Sequence, residues 1–280
     1  MTDPRRLPMN VRVAAERLRG IVDAPTFVAG EIAQVKVPLV DLLREPDGAR
    51  DRQMCLGESV LVYERHDGWA FVEAERDGYV GYVPVHTIGD LPEPTHRVKA
   101  RATHLYAEPD FKTPERAALS FGALLTVSRE GDGRFSETSD GLFVPKTHLA
   151  PVADLERDPI DVAERLLGTP YLWGGNSAFG TDCSGLVQMA CLACGIACPG
   201  DADMQEAELG VHLPDDAPLQ RGDLLFWEGH VAFMVDPDRL IHANAFHMAI
   251  AYEPLDEALT RIETQGDGSV TSRKRLEHFA

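Results

Sequence analysis

The sequence lacks several features that would place it in common classes of protein. No apolar run approaches the ~18 residues that a membrane-spanning helix needs. Arg5 and Arg6 lie near the amino terminus, but no apolar stretch typical of a signal peptide follows them. Basic residues are outnumbered, with 27 Lys and Arg against 45 Asp and Glu and a net charge of -18. We therefore expect a cytoplasmic protein that binds neither nucleic acid nor a membrane.

The cysteines do not form the pattern of a secreted disulfide framework, because the chain has five of them. Cys191, Cys194 and Cys198 have a spacing that resembles part of a zinc site. A second Cys-x-x-Cys pair is missing, however, and these residues fall on a small-apolar helix. We expect no metal and no cofactor, and a zinc site is the less favoured alternative.

Short apolar segments separated by turn residues fill the first half of the chain. Ser59–Tyr63 and Trp69–Val72 flank Asp67-Gly68, and Tyr79–Pro84 follows Asp77-Gly78. Asp-Gly pairs between such segments are typical of β-hairpins. Several strands at this spacing predict a small antiparallel barrel.

The barrel pattern occurs a second time. Glu108-Pro109-Asp110 repeats the turn cluster Glu45-Pro46-Asp47 about 60 residues later, which indicates an internal repeat. Leu91-Pro92-Glu93-Pro94 separates the two copies as a stiff linker. We predict an unassigned lead-in at residues 1–30, a first small β-barrel at 31–91 and a second, degenerate one at 95–153.

From Asp158 the pattern changes to mixed helices and strands. Asp158-Pro159 begins one helix, and an apolar helix starts at Cys183. Apolar segments at 222–227 and 231–235, with a third from Leu240, are separated by short turns and predict an antiparallel sheet. We predict an α+β domain over residues 154–280 and a frayed polar tail after Gln265.

Three residues of this domain have the chemistry of a thiol protease, which needs a thiolate, a base and a group that orients the base. Cys183 falls in the first turn of a helix, where the macrodipole lowers the pKa of a thiol. His230 and His242 lie on strands joined by a turn near Pro237, so they face each other about 5–8 Å apart on one sheet face. Each residue alone is more often a core or surface residue, but the combination predicts a Cys-His-His set.

Five motifs in this order resemble the NlpC-type papain-like cell-wall peptidases. They are Tyr171-x-Trp173-Gly174-Gly175, Asp182-Cys183-Ser184-Gly185, Gly222-Asp223-Leu224, Gly229-His230-Val231 and His242-Ala243. The earlier repeats resemble bacterial SH3 domains, through Gly57-Glu58, Asp67-Gly68-Trp69 and the segment from Gly78 to Pro84. Together the motifs are most similar to γ-D-glutamyl-L-diamino acid endopeptidases that act on murein peptides.

The resemblance implies a role for each catalytic residue. Cys183 is the nucleophile, His230 is the general base and then acid, His242 orients it, and Tyr171 helps to stabilise the oxyanion. The bond cleaved joins the γ-carboxyl group of D-glutamate to meso-diaminopimelate or lysine. The substrate is a murein tri- or tetrapeptide with a free amino-terminal L-alanine, and the process is peptidoglycan recycling.

The resemblance also implies a set of substrate-binding residues. Those in the peptidase domain are Asp182, Ser184, Trp173 and Asp201, and those in the first SH3-like domain are Glu58 and Tyr79. Ala202 stands where the family often has serine. Asp182 would both cap the helix and bind the substrate amine, and these roles compete for the same carboxylate oxygens. Thr181 is therefore an alternative residue for the helix cap.

Two other functions stay open at this point. One is a module that binds cell-wall peptide without cleaving it, and the other is an acyltransferase on the same fold. The sequence leaves the oligomeric state open.

Overall fold

The structure is a computed structural model that describes residues 3–131, 133–266 and 268–277. The chain divides into two compact units between Ala153 and Asp154. No helix in these described ranges is long and apolar enough to cross a membrane.

The first lobe of the amino-terminal unit is a seven-stranded antiparallel sheet of order β5-β4-β8-β7-β6-β3-β9, with a separate parallel pair, β1 and β2. Its strands are β1 Val13–Ala15, β2 Thr26–Val28, β3 Glu31–Val35, β4 Leu39–Leu43, β5 Arg50–Cys55, β6 Ser59–His66, β7 Trp69–Ala74, β8 Val80–Pro84 and β9 Ile88–Gly89. Short 3-10 helices lie at Pro4–Arg6, Glu16–Leu18 and Val85–Thr87.

The second lobe has a five-stranded sheet of order β12-β11-β16-β15-β14 and a three-stranded sheet of order β13-β10-β17. Its strands are β10 His96–Val98, β11 Ala102–Tyr106, β12 Glu115–Ser120, β13 Leu124–Leu125, β14 Val127–Arg129, β15 Phe135–Thr138, β16 Phe143–Pro145 and β17 Leu149–Pro151. A 3-10 helix at Lys146–His148 precedes the last strand.

The predicted hairpin at Asp67-Gly68 is confirmed. His66 pairs with Trp69, so these two residues form the whole loop, and both have positive φ, 48° for Asp67 and 83° for Gly68. Two left-handed residues in a two-residue loop are the signature of a type I′ turn, whose twist matches that of the flanking strands.

Two tandem closed barrels are not confirmed. In the described part of the chain the end strands of each large sheet, β5 with β9 and β12 with β14, do not pair with each other. Short strands with Asp-Gly turns are typical of open and closed sheets alike, and only pairing of the two edges closes a barrel.

The lead-in and the two lobes are packed together within this unit. Val13, Ala14 and Leu18 of the lead-in share a hydrophobic cluster with Tyr63 and Phe71 of the first lobe. The lobes meet where the N–H of Leu124 donates to the carbonyl of Leu56, 2.8 Å away.

The carboxyl-terminal unit packs helices against a six-stranded antiparallel sheet of order β20-β25-β21-β22-β23-β24. This confirms the predicted α+β class. Its elements are α1 Pro159–Arg165, β18 Asn176–Ser177, β19 Gly180–Thr181, α2 Cys183–Ala193, α3 Ala202–Glu208, β20 Val211–His212, β21 Asp223–Trp227, β22 His230–Asp236, β23 Arg239–Asn244, β24 Ala249–Pro254, α4 Leu255–Gln265 and β25 Ser272–Arg275.

The frayed tail predicted after Gln265 is wrong for residues 272–275. They form β25, which pairs with β20 on one side and β21 on the other. Arg275 donates through Nε and Nη2 to the two carboxylate oxygens of buried Asp223, each at 2.8 Å. The sequence of β25 is polar and does not predict a strand by itself. Its stability depends on β21 and Asp223, which lie about 50 residues earlier in the chain.

Candidate active site

Asp182 caps helix α2 with its own side chain. Its Oδ1 accepts from the N–H of Gly185 at 2.7 Å, and its Oδ2 accepts from the N–H of Gly174 at 2.9 Å. The alternative of a Thr181 cap is therefore wrong, since the Thr181 hydroxyl donates to the carbonyl of Gly175 at 3.2 Å. The carboxylate can serve both donors because its two oxygens point to different sides of the helix start.

Cys183 is the first residue of α2 and is buried. Helix α2 packs against β22 and β23, and the Cys183 Sγ lies 3.9 Å from the carbonyl oxygen of Gly229. Gly229 has a φ of 73° and immediately precedes His230, so the tight turn before β22 brings the start of this strand beside the thiol.

Close packing under the helix depends on a second glycine. A Cβ built on Gly185 would lie 2.3 Å from the carbonyl oxygen of Gly175, a distance that no side chain tolerates. Glycine in the Asp182-Cys183-Ser184-Gly185 motif thus lets the helix start approach the preceding loop.

The two predicted histidines meet. The Nε2 of His230 lies 2.9 Å from the Nδ1 of His242. The register explains the contact: Phe233 pairs with Ile241, which sets His242 diagonally across from His230 on the same face of the sheet. Trp227, which is buried, packs against the His230 ring with centroids 5.6 Å apart.

A carboxylate that the sequence analysis missed continues this line. The Nε2 of His242 lies 3.0 Å from the Oε2 of Glu253 on β24. His242 pairs with Ala251, so Glu253 is diagonal to His242 just as His242 is diagonal to His230. The signal available in the sequence was an acidic residue near the end of an otherwise apolar strand.

Glu253 is in turn bonded to Arg261 of α4. The Nε of Arg261 donates to Oε1 at 2.7 Å and its Nη2 donates to Oε2 at 2.8 Å. Arg261 also has no signal in the sequence, because nothing in the chain order relates a helical arginine to a particular strand residue.

The environment shifts the pKa of all three acid–base groups on the sheet. Burial, with the neighbouring His242, lowers the pKa of His230 to about 3. Burial also lowers the pKa of His242, although the hydrogen bond that His242 donates to Glu253 opposes this. Burial alone would raise the pKa of Glu253, but the hydrogen bonds from Arg261 and His242 outweigh it and lower the pKa to about 2. The histidines are therefore neutral and the carboxyl group is ionised at neutral pH.

Tyr171 lies beside the helix start. Its N–H donates to the carbonyl of Met248 at 2.9 Å, and its backbone forms a bridge with Thr181. Burial raises the pKa of its hydroxyl group, and the neighbouring Cys183 and Asp182 raise it further. The hydroxyl group thus keeps its proton and remains a hydrogen-bond donor.

Residues 168–266 match the NlpC/P60 family, and residues 42–88 match the bacterial dipeptidyl-peptidase SH3 domain. The chain carries an NlpC/P60 peptidase domain. The SH3 match covers the first of the two predicted repeats and not the second, so the resemblance to SH3 domains is shown for one lobe.

Individual proteins agree with these matches. The chain is 31% identical over 162 residues, 50% of its length, to a gamma-D-glutamyl-L-lysine dipeptidyl-peptidase of Bacillus subtilis (strain 168). It is 38% identical over 98 residues, 35% of its length, to dipeptidyl-peptidase 6 of Lysinibacillus sphaericus. The matches span 52% and 36% of the length of these relatives.

A crystal structure of an NlpC/P60 family protein from Bacillus cereus ATCC 10987 has the same fold. It superposes with a TM-score of 0.74 at 22% identity, over 88% of this chain and 99% of that one.

The other predicted binding residues of the NlpC/P60 domain differ in their surroundings. Ser184 is buried, and its hydroxyl donates to Asp182 Oδ1 at 3.2 Å. Asp201 is half-buried and precedes α3 without capping it through its side chain. Trp173 is 69% exposed. Asp182 and Ser184 thus lie together at the start of α2, and the binding roles of all four residues stay predictions.

Glu58 and Tyr79 belong to the first lobe of the amino-terminal unit. Glu58 Oε1 accepts from the Cys55 N–H and from Arg76 Nη1, each at 2.9 Å. The Oε2 atom of Glu58 is buried and has no hydrogen-bond partner among the described residues, although Arg76 Nη1 lies 2.9 Å from it. Tyr79 is buried beneath Arg6 and Arg52, whose guanidinium carbons lie 5.8 and 5.9 Å from its ring centroid. Their contact with substrate stays a prediction.

One group in the described ranges has the composition of a metal site. Ligand atoms of His242, His247 and Glu253 lie within 4.8 Å of one another. Each is already engaged, since Asn244 Oδ1 lies 3.0 Å from His247 Nδ1 and Arg261 supplies the positive charge beside Glu253. A divalent cation would have to displace this guanidinium. Among the described residues, no group of three or more such ligand atoms includes Cys191, Cys194 or Cys198. The structure therefore gives no support to the zinc alternative.

Proposed function

We propose that this chain is a cysteine peptidase that hydrolyses the γ-D-glutamyl–diamino acid bond of murein peptides with a free amino-terminal L-alanine. The diamino acid is meso-diaminopimelate or lysine. The observation that carries the proposal is the 2.9 Å contact between His230 and His242 on the strands that pack against the helix beginning at Cys183. The name of the Bacillus subtilis relative, gamma-D-glutamyl-L-lysine dipeptidyl-peptidase, supports this class of bond.

The reaction follows from these positions. The Cys183 thiol gives its proton to His230, and Sγ attacks the γ-carbonyl carbon of D-glutamate. Backbone N–H groups at the start of α2 and the Tyr171 hydroxyl group stabilise the oxyanion. When the intermediate collapses the C–N bond breaks, and the leaving amine takes the proton from His230. Water, deprotonated by the same imidazole, then hydrolyses the thioester and regenerates the thiol.

Acidic residues support recognition of the free amine. An ammonium group forms its strongest bonds with carboxylates, and Asp182 and Asp201 are the candidates in the NlpC/P60 domain. Glu58 is the candidate that the resemblance implies in the SH3-like lobe, where burial raises the pKa of its carboxyl group although Arg76 Nη1 lies 2.9 Å from Oε2. A role in peptidoglycan recycling and a cytoplasmic location stay predictions.

Digestion of a defined peptide tests the proposal. Reduced full-length protein is incubated with L-Ala-γ-D-Glu-meso-diaminopimelate or its lysine analogue, and L-Ala-γ-D-Glu is detected by mass spectrometry. Cys183→Ala is expected to lose at least about a thousandfold in rate, because the nucleophile is removed. Cys194→Ala, at the other end of α2, is the matched control and should retain activity.

The alternatives give different products. A binding module would retain the peptide unchanged, and an acyltransferase would yield the dipeptide joined to an added amine or alcohol instead of free acid. Absence of cleavage of both peptides by the intact, folded protein would reject the proposal.

A further inference from the structure

The hydrogen-bonded line on the sheet does not end at the second histidine. From His230 it runs through His242 to Glu253 and then to Arg261, with successive contacts of 2.9, 3.0 and 2.8 Å. The His242 side chain has no exposed surface, and that of Glu253 is 7% exposed. These contacts lie in a site of low dielectric, where each hydrogen bond constrains its neighbours strongly.

The bonds of this line determine where every proton sits. Arg261 donates twice to Glu253, and an ionised carboxylate accepts hydrogen bonds only. His242 Nε2 must therefore carry a proton and donate it to Glu253. A neutral imidazole has one N–H, so His242 Nδ1 has a lone pair and accepts from His230 Nε2. His230 is neutral as well, which leaves its Nδ1 without a proton.

We propose that Glu253, held ionised and fixed by Arg261, is a positioning residue that sets the tautomers of both histidines so that Nδ1 of His230 is the base. This inference rests on the proposed function, because a base is needed only if Cys183 is the nucleophile. Glu253 acts through His242 and does not touch the reacting atoms.

The geometry argues against a merely structural ion pair. Arg261 also lies over the ring of Phe246 in the turn before β24, with its guanidinium carbon 4.8 Å from the ring centroid, so the ion pair with Glu253 is not its sole contact with this region. An ion pair that only fastens α4 to the sheet needs no bond to a buried histidine. Here one carboxylate oxygen is shared between Arg261 and His242.

Glu253→Gln is the decisive substitution. An amide of the same shape can donate its N–H to His242 Nε2, which reverses both tautomers and places a proton on His230 Nδ1. We expect kcat to fall about 100-fold with KM little changed, because a protonated Nδ1 can no longer act as the general base. Glu263→Gln, on the exposed face of α4, is the matched control.

Nitrogen-15 NMR of the histidines reads the tautomers directly. In the full-length protein at pH 7 we expect both His230 and His242 as Nε2–H forms, with signals assigned through His230→Gln and His242→Gln. Glu253→Gln should convert both to Nδ1–H forms. If Glu253→Gln fails to fold, Glu253→Asp is used instead. Aspartate keeps the negative charge, but its side chain is one methylene shorter and cannot reach His242 Nε2 as closely.

Arg261 is tested by the pH profile of kcat/KM. In Arg261→Gln the carboxylate loses its counter-charge, so the pKa of Glu253 rises and the acidic limb should move to higher pH. Arg261→Lys should restore most of the wild-type profile.

The outcomes separate the two proposals. Wild-type tautomers and turnover within twofold of wild type in Glu253→Gln would overturn the positioning role. A wild-type protein that shows the expected tautomers but cleaves neither peptide would reject the proposed function and leave the tautomer assignment supported.

Discussion

The two units each bury a glutamate against an arginine, and the two carboxyl groups behave in opposite ways. Burial raises the pKa of Glu58 in the SH3-like lobe, despite Arg76. In the NlpC/P60 domain the pKa of Glu253 falls to about 2, despite its burial. The difference lies in the donors: two nitrogens of Arg261 and one of His242 reach Glu253, whereas Oε2 of Glu58 has no hydrogen-bond partner in the described ranges.

The chemistry of a buried ion pair therefore depends on how many hydrogen-bond donors reach its carboxylate. A carboxylate whose oxygens are all engaged is a permanent acceptor and suits the orientation of a neighbour. A buried carboxylate that receives fewer hydrogen bonds is compensated less well, and a further positive charge would stabilise its ionised form. The first describes Glu253, and the second describes Glu58.

The largest expected contrast is between the buried thiols of the two units. Burial and the nearby Glu58 raise the pKa of Cys55 to about 12, so about one part in a million is thiolate at pH 6. Cys183, at a helix start, should react with iodoacetamide at least about a thousandfold faster. Peptide mapping by mass spectrometry after a short exposure measures both sites. Equal labelling, or labelling of Cys55 first, would contradict the assignment of the nucleophile.

Acid should weaken the NlpC/P60 domain before the SH3-like lobe. The pKa of His230 is about 3 in the folded state and near 6.5 unfolded, so only the unfolded chain gains this proton between those values. The free energy of unfolding then falls by up to about 1.4 kcal/mol per pH unit as pH drops from 6.5 towards 3. Glu58 works in the opposite direction, because its raised pKa lets the folded state bind the proton first.

Hydrogen exchange of the full-length protein between pH 7 and pH 4.5, corrected for intrinsic rates, separates the two units. Protection of β22 and β23 should decline more steeply than that of β6 and β7. His230→Gln should flatten the decline, and His66→Gln, at an exposed hairpin, should not. A steeper loss in the SH3-like lobe would contradict the assignment of the acid-sensitive group.

The smallest expected effect concerns Glu58. Glu58→Gln should raise KM for the peptide with a free amine about tenfold, the cost of one hydrogen bond to a charged group. The value of kcat should change little, because the reacting bond is remote from the amine. Glu75→Gln, exposed in the same lobe, is the control. An unchanged KM, or an equal loss with amino-acetylated peptide, would remove Glu58 from the binding site.

Much of the NlpC/P60 domain could be predicted from local sequence. A cap residue before an apolar run predicts the start of α2 at Cys183, and the turn at Pro237 between two apolar segments brings His230 near His242. These are short-range relations: a helix start and a hairpin depend on residues within a few positions of each other. The Asp67-Gly68 hairpin belongs to the same class.

Longer-range relations were decided by the tertiary structure. Glu253, Arg261 and β25 acquire their partners through strand order and the packing of α4, and no local pattern encodes which edge a strand joins. The two predicted barrels are not confirmed for the same reason, since closure of a sheet depends on whether two distant edges meet.

Local sequence specifies a thiol at a helix start, two histidines on adjoining strands and the α+β class of the carboxyl-terminal unit. The tertiary structure decided how each charged group is compensated, because pKa and tautomer depend on the number of donors that reach a buried atom. Glu58 and Glu253 are the same residue type in the sequence, and their pKa values shift in opposite directions because their folded environments differ.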